Sequence, residues 1–129
     1  MCLARVAKAG YGVPEVVRRN GFCAVEAVVQ GTAYSQSIAT LPTECRPTRR
    51  LVFNQATDAR ARVDVYSNGD VKWADSGQTN NWVSLAMVFV PDDSQGVELV
   101  LENGWQHMGG SYGNAMYVLK DGVCASRRL

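Results

Sequence analysis

Ala61-Arg62-Val63-Asp64-Val65-Tyr66-Ser67-Asn68-Gly69-Asp70-Val71-Lys72-Trp73-Ala74 decides the fold class. In an extended chain successive side chains point to opposite faces, so Ala61, Val63 and Val65 share one face while Arg62, Asp64 and Tyr66 share the other. This is the signature of a half-buried strand. Ser67-Asn68-Gly69-Asp70 supplies residues that tolerate tight turns, and Val71-Lys72-Trp73-Ala74 resumes the strand, which predicts a β-hairpin.

Working outward, the same pattern recurs. Segment 13–19 runs through Arg19-Asn20-Gly21 into Phe22 to Gln30, a second predicted hairpin whose Asn-Gly pair permits positive φ. Residues 31–35 read as a loop and 36–41 as a short strand. Pro42 and Pro47 then impose an extended path outside the ladder. Arg49 to Gln55 reads as a strand, and Asp75 to Asn81 is polar and turn-rich, an expected exposed loop. Trp82 to Val90 is apolar on both alternating sets, which predicts burial on both faces, inside a sandwich or against a subunit neighbour. Val97, Leu99 and Leu101 alternate with Glu98 and Glu102 in one more strand. Helical periodicity is absent, so the expected class is all-β and antiparallel.

The chain also repeats itself. Tyr11-Gly12-Val13-Pro14-Glu15-Val16-Val17-Arg18-Arg19-Asn20-Gly21-Phe22-Cys23-Ala24 returns, at a constant offset of 101 residues, as Tyr112-Gly113-Asn114-Ala115-Met116-Tyr117-Val118-Leu119-Lys120-Asp121-Gly122-Val123-Cys124-Ala125. Tyr, Gly, Val, Gly, Cys and Ala recur in step, and Asp-Gly replaces Asn-Gly, so 112–125 should form a hairpin like the first. A period this long suits a whole small domain set in series, as in fibrous appendages. The division expected is an N-terminal strand or arm over 1–10, a module over 11–103, and a partial second repeat over 104–129. Its hairpin has an open strand that seeks a partner, which makes Tyr117, Val118 and Val123 candidate assembly residues.

The 129 residues fit one domain, and a formal charge of +1 gives no general drive toward nucleic acid or anionic membrane. The longest apolar run, Leu85 to Val90, is too short to cross a bilayer as a helix. The opening residues show no long apolar segment of the signal-peptide kind, and an unexported product is expected. Arginines gather at 46, 49 and 50, at 60 and 62, and at 127 and 128, and read as solvated strand faces and loop edges. Cys2, Cys23, Cys45 and Cys124 lack metal-ligand spacing. Cys23 and Cys124 hold equal repeat positions and read as small buried hydrophobes, with disulfide connectivity left open.

No catalytic constellation emerges, and no cofactor is expected. His107 has no nucleophile elbow or triad signature around it and reads as a packing or hydrogen-bonding residue. Asp75 and Asp92-Asp93 lack a calcium-loop pattern. Gly109-Gly110-Ser111-Tyr112-Gly113 lacks a phosphate-loop lysine, and Asp64, Asp70, Glu98 and Glu102 form no placed carboxylate pair. Aromatic side chains offer more, since Trp and Tyr combine an apolar body with a polar tip. Trp82 is expected in the core. Trp73 and Trp105 flank turns and, with Tyr112, are the candidate ligand contacts.

Leu41-Pro42-Thr43-Glu44-Cys45-Arg46-Pro47-Thr48-Arg49-Arg50-Leu51-Val52-Phe53, then 61–71, then Trp82-Val83-Ser84-Leu85, resemble a module common in bacteriophage tail-fibre and head-fibre proteins. Tyr112, Tyr117, Lys120, Asp121, Gly122 and Val123 resemble the hairpin that opens it. The likeness covers about 11–90 and 104–125. It implies a β-sandwich or jelly-roll-like module that trimerises, a virion location after assembly in the host cytoplasm, other virion proteins as partners, and host-surface glycan as a possible ligand. The other expected reading is a capsid or tail assembly component that links subunits by strand addition. At 13–16 the chain lacks the tyrosine expected in the opening hairpin.

Overall fold

A computed structural model describes residues 10, 14–31, 37–56, 60–74, 82–92, 94–120 and 123–126. The expected arm over 1–10, apart from Gly10, therefore lies outside the described residues, as do Tyr11-Gly12-Val13, the loop at 75–81 and Arg127-Arg128. Among the described residues ten strands follow one another as β1 (Glu15–Arg19), β2 (Phe22–Gln30), β3 (Ser37–Thr40), β4 (Leu51–Ala56), β5 (Arg60–Val65), β6 (Asp70–Trp73), β7 (Trp82–Phe89), β8 (Val97–Glu98), β9 (Met116–Lys120) and β10 (Val123–Ser126). One 3-10 turn, Thr43–Cys45, follows β3. Every paired strand is antiparallel. The chain is all-β.

Seven strands form one sheet in the order β1-β2-β7-β4-β5-β6-β3, and three form a second in the order β10-β9-β8. Alternation sets the faces of the large sheet. Cys23, Val25 and Val29 of β2, Leu51 and Phe53 of β4, Ala61, Val63 and Val65 of β5, and Val71 and Trp73 of β6 point inward to one core. The odd-numbered residues of β7, Val83 to Phe89, join them, with the rings of Phe53 and Phe89 6.0 Å apart. Apolar burial of this kind contributes roughly 25 cal/mol per Å² and is the main driving force for the fold.

The sheet must curl to enclose that core. A flat sheet would hold β2 and β3 about 24 Å apart, at about 4.8 Å per strand step. Yet Cys23 of β2 and Cys45, in the 3-10 turn just past β3, form a disulfide with their Cα atoms 5.7 Å apart. The two ends of the sheet are thus drawn together. Between them β4 and β7 pair at Ala56 and Ser84 among the described residues, and the Gln55 side chain adds a link by accepting the Ala86 N–H at 2.5 Å.

Both sequence-predicted hairpins inside the large sheet are present. Asn20 and Gly21 take φ of 52° and 80°, the positive pair required by a two-residue turn. The other turn is one residue longer than a simple Asn-Gly loop. Gly69 N–H donates to the Tyr66 carbonyl at 2.9 Å, and Gly69 then takes φ of 93°.

Three expectations are corrected. β7 is buried on one face only: Ala86 is exposed and Val88 is 64% exposed, because the second sheet does not cover this part of the first. Trp82 belongs to the same outward set and is half-buried instead of lying in the core. The strand expected over 97–101 shrinks to Val97–Glu98, whose side chains are both exposed, so alternation there does not reflect a buried face.

Candidate functional site

The outward face of β4, β5 and β6 is where polar chemistry concentrates. Inward-facing Val63 and Val65 oblige Arg62 and Asp64 to face outward. The register places Val52 and Lys72 on either side of Asp64. Arg50, one residue before β4, lies beside the strand end at Tyr66. Asp64 nevertheless is fully buried.

Two arginines enclose this carboxylate. Arg62 donates from Nε to Oδ1 and from Nη2 to Oδ2, both at 2.8 Å. Arg50 donates to Oδ2 from Nε at 2.7 Å and also from Nη2. Four charge-assisted hydrogen bonds thus satisfy both oxygens, which is how a buried ion becomes tolerable. Asp64, followed by Tyr112, holds the Arg62 guanidinium above the ordinary arginine pKa. The carboxylate is buried and held by donors from two arginines. It acts as an anchor that fixes two cations.

Tyr112 seals the arrangement from above. Arg50 lies between two rings, with its Cζ 4.6 Å from the centroid of Tyr66 and 4.8 Å from that of Tyr112. Arg62 donates to the Tyr112 hydroxyl at 2.9 Å. Backbone bonds complete the attachment: Arg50 N–H donates to the Ser111 carbonyl at 3.1 Å and Gly113 N–H to the Arg50 carbonyl at 3.4 Å. Tyr112 and Arg50 form an isolated parallel bridge, so segment 111–113 runs as a short extra strand along the edge of β4. The clamp joins the C-terminal segment to the large sheet.

Next to the clamp lies an open cleft of about 330 Å³, lined by Arg49, Glu98, Gly109, Gly110, Tyr112, Gly113, Asn114 and Met116. Its walls are held by polar contacts. Asn114 donates to Glu98 Oε1 at 2.7 Å, and Arg49 donates to the Gly110 carbonyl at 3.4 Å. His107 Nδ1 accepts the Ala115 N–H at 3.1 Å, and its Nε2 lies 3.9 Å from Glu98. Its hydrogen-bonding role is structural. Among the described residues no group of three or more His, Cys, Asp or Glu side chains is placed to hold a metal ion.

The three ligand candidates do not meet. Trp73 faces inward and is 6% exposed, so it serves the core, whereas Tyr112 lies on the opposite side of the sheet within the clamp. Trp105 stands on the 99–115 segment and is 78% exposed. Of the assembly candidates, Tyr117 is partly open, Val118 is buried, and Val123 pairs with Lys120 at the head of the second hairpin. Cys124, expected to be buried, is an exposed free thiol, because it shares the open face of the hairpin with Leu119, its partner in the ladder, which is also exposed. Cys23 is buried as expected, in a disulfide.

Arg50, Arg62 and Asp64 were not among the sequence candidates. The signal was the shared outward face of Arg62, Asp64 and Tyr66, where two like-charged arginine groups and an acid looked like solvated polar residues. No protein-family model, curated protein or solved structure matches the chain.

Proposed function

We propose that the chain is a non-enzymatic structural module of a bacteriophage virion, a fibre, tail or decoration element that assembles with other virion proteins and contributes to host-surface attachment. Its sheets form a sandwich- or jelly-roll-like unit that acts as a homotrimer. The observation that carries the reading is the second hairpin, β9–β10, which begins a repeat of the module and is fastened to the first by the Arg50–Tyr112 clamp. Modules joined in series through fixed contacts are how elongated appendages are built. The exposed Trp105 and the polar cleft beside Tyr112 suit a sugar, which is bound by stacking and by hydrogen bonds.

Mass spectrometry of purified particles from the source culture tests the virion assignment. Peptides of this chain at structural-protein abundance are expected, and their absence would end it. Trp105→Ala tests attachment, with loss of cell adsorption expected at unchanged thermal stability.

A second reading, subunit linkage by strand addition without an external ligand, draws on the outer edge of β10, which has no strand partner among the described residues, and on exposed Leu119. Adsorption to cells that is independent of Trp105 and of the cleft residues, together with intact assembly, favours this second reading.

A further inference from the structure

The sequence repeat is also a structural repeat. β1 and β2 pair Arg19 with Phe22, Arg18 with Cys23, Val17 with Ala24 and Val16 with Val25. At the offset of 101 residues, β9 and β10 pair Lys120 with Val123, Leu119 with Cys124, Val118 with Ala125 and Tyr117 with Ser126. These four pairs correspond one to one, without slippage.

The two hairpins are covered on opposite faces. In the first, Cys23 and Val25 are buried and Val16 packs against the core, while Val17 is 46% exposed and Glu15 is open. In the second, Val118 is 3% exposed and Met116 is half-buried, while Tyr117 and Cys124 are open. Each hairpin leaves bare the face that the other covers.

Their edges differ in the same complementary way. The outer edge of β2 is held by β7, from Cys23 opposite Phe89 to Gln30 opposite Trp82, whereas the outer edge of β10 has no partner among the described residues. The outer edge of β9 is held by β8, with Val97 opposite Tyr117 and Glu98 opposite Met116, and Leu99 N–H donates to the Ala115 carbonyl at 2.9 Å. The outer edge of β1 has no strand partner among the described residues.

We infer that the outer face and edge of the β1–β2 hairpin dock on residues 97–115 of a second copy of this chain, the surface that β9–β10 occupies within its own chain. The chain therefore carries an internal specimen of its copy-to-copy interface. The register follows from the repeat: Val97 of one copy lies opposite Val16 of the next and Glu98 opposite Glu15, while Pro14, buried in its own chain, stands where Ala115 does. Two features make this contact weaker than its internal counterpart. Glu98 opposite Glu15 sets like charges across the ladder, and Pro14 has no N–H to offer His107.

Donor and acceptor are different patches, so the association is head-to-tail and closes into a ring or extends into a filament. The tethered β9–β10 hairpin competes for the acceptor at an effective concentration of roughly mM. It is a cap that must be displaced before a second copy docks. This deepens the oligomer of the proposed function, rests on the repeat and not on the virion assignment, and is tested apart from it.

The test weighs the full chain by sedimentation velocity and light scattering over micromolar to millimolar concentration, as wild type, Val118→Lys and Val17→Lys/Val118→Lys. Val118→Lys loosens the cap and leaves the first hairpin intact, so its weight-average mass should rise at least twofold over wild type. The double variant should return to the wild-type mass, because the incoming face is then charged as well. A Val118→Lys chain no heavier than wild type overturns the inference. So does a double variant that associates as strongly as the single one, since association would then come from unfolding or from another surface.

Discussion

Cys23 and Cys45 are joined by a disulfide that links the second strand of the seven-stranded sheet to the turn beyond its seventh. The bond closes a loop over a sequence separation of 22 and fixes the curl on which the shared core depends. In the chain-entropy account a loop of this length stabilises by about 3 kcal/mol. Cys45→Ser, or reduction of the wild type, is expected to lower the free energy of unfolding by about that amount, measured in urea with and without reductant. A chain whose unfolding midpoint ignores reductant would contradict the pairing. Such a bond forms and persists in oxidising surroundings.

Gly69 is the next point of vulnerability. Its φ of 93° is one that L side chains rarely adopt, and a Cβ there would lie 2.7 Å from Arg46 Nε and 2.9 Å from the Leu41 carbonyl oxygen. The same oxygen accepts from Arg46 Nε at 3.0 Å, and Leu41 N–H donates to the Gly69 carbonyl at 2.8 Å. Added bulk therefore strains the turn and pushes on the chain leading from β3 to the disulfide. Gly69→Ala should destabilise by about 2–3 kcal/mol, at the upper end of backbone-strain effects, read as a lower thermal midpoint. Gly104, with φ of 80° and open space around it, should give a smaller loss on the same substitution.

Asp64 holds a different kind of stability. Removing one member of a buried ion pair typically costs roughly 3–5 kcal/mol, because the charges left behind lose their partner. Arg50 and Arg62 each keep some solvent contact, which places Asp64→Asn nearer the low end, about 3 kcal/mol. Arg62→Ala should cost less, since Arg50 still pairs with the acid. The sign with pH follows from the direction of the Arg62 shift. A pKa raised on folding contributes stability that is fully present below the ordinary arginine pKa and is lost only above it. Urea titrations of Asp64→Asn, Arg62→Ala and the double variant would measure the coupling between the two residues.

Much of the framework could be read from local pattern. Alternation in 61–65, Gly residues at the turns and the Asn20-Gly21 pair each act within a few residues, so β1, β2 and β4 to β7 were legible as strands. The clamp was not, because its members come together only after folding: Arg62 and Tyr112 are 50 residues apart. The pairing of Asp64 with Arg50 was hidden for the same reason, since it crosses from one strand to the next. The openness of β7 was hidden for a related reason. An apolar outward set at Trp82, Ala86 and Val88 says that a face could be covered, and not that this chain covers it. The repeat predicted the second hairpin but could not show that the two hairpins bury opposite faces.

Tyr112 is the residue through which the C-terminal segment holds the large sheet, and two substitutions separate its roles. Tyr112→Phe keeps the ring against Arg50 and loses the hydroxyl that accepts from Arg62, at a cost of about 1 kcal/mol. Tyr112→Ala loses both, and the backbone bonds of Arg50 with Ser111 and Gly113 then have no side chain to hold them in place. Hydrogen exchange should therefore change little for Phe and rise for Ala at the Arg50, Leu99 and Gly113 amides, while β2 and β5 stay protected. The core of the large sheet draws its buried residues from 16–89, so release of the segment need not unfold it. If Tyr112→Ala exposes β5 as readily as Gly113, the clamp is part of the core's own stability and not a joint between two repeat units.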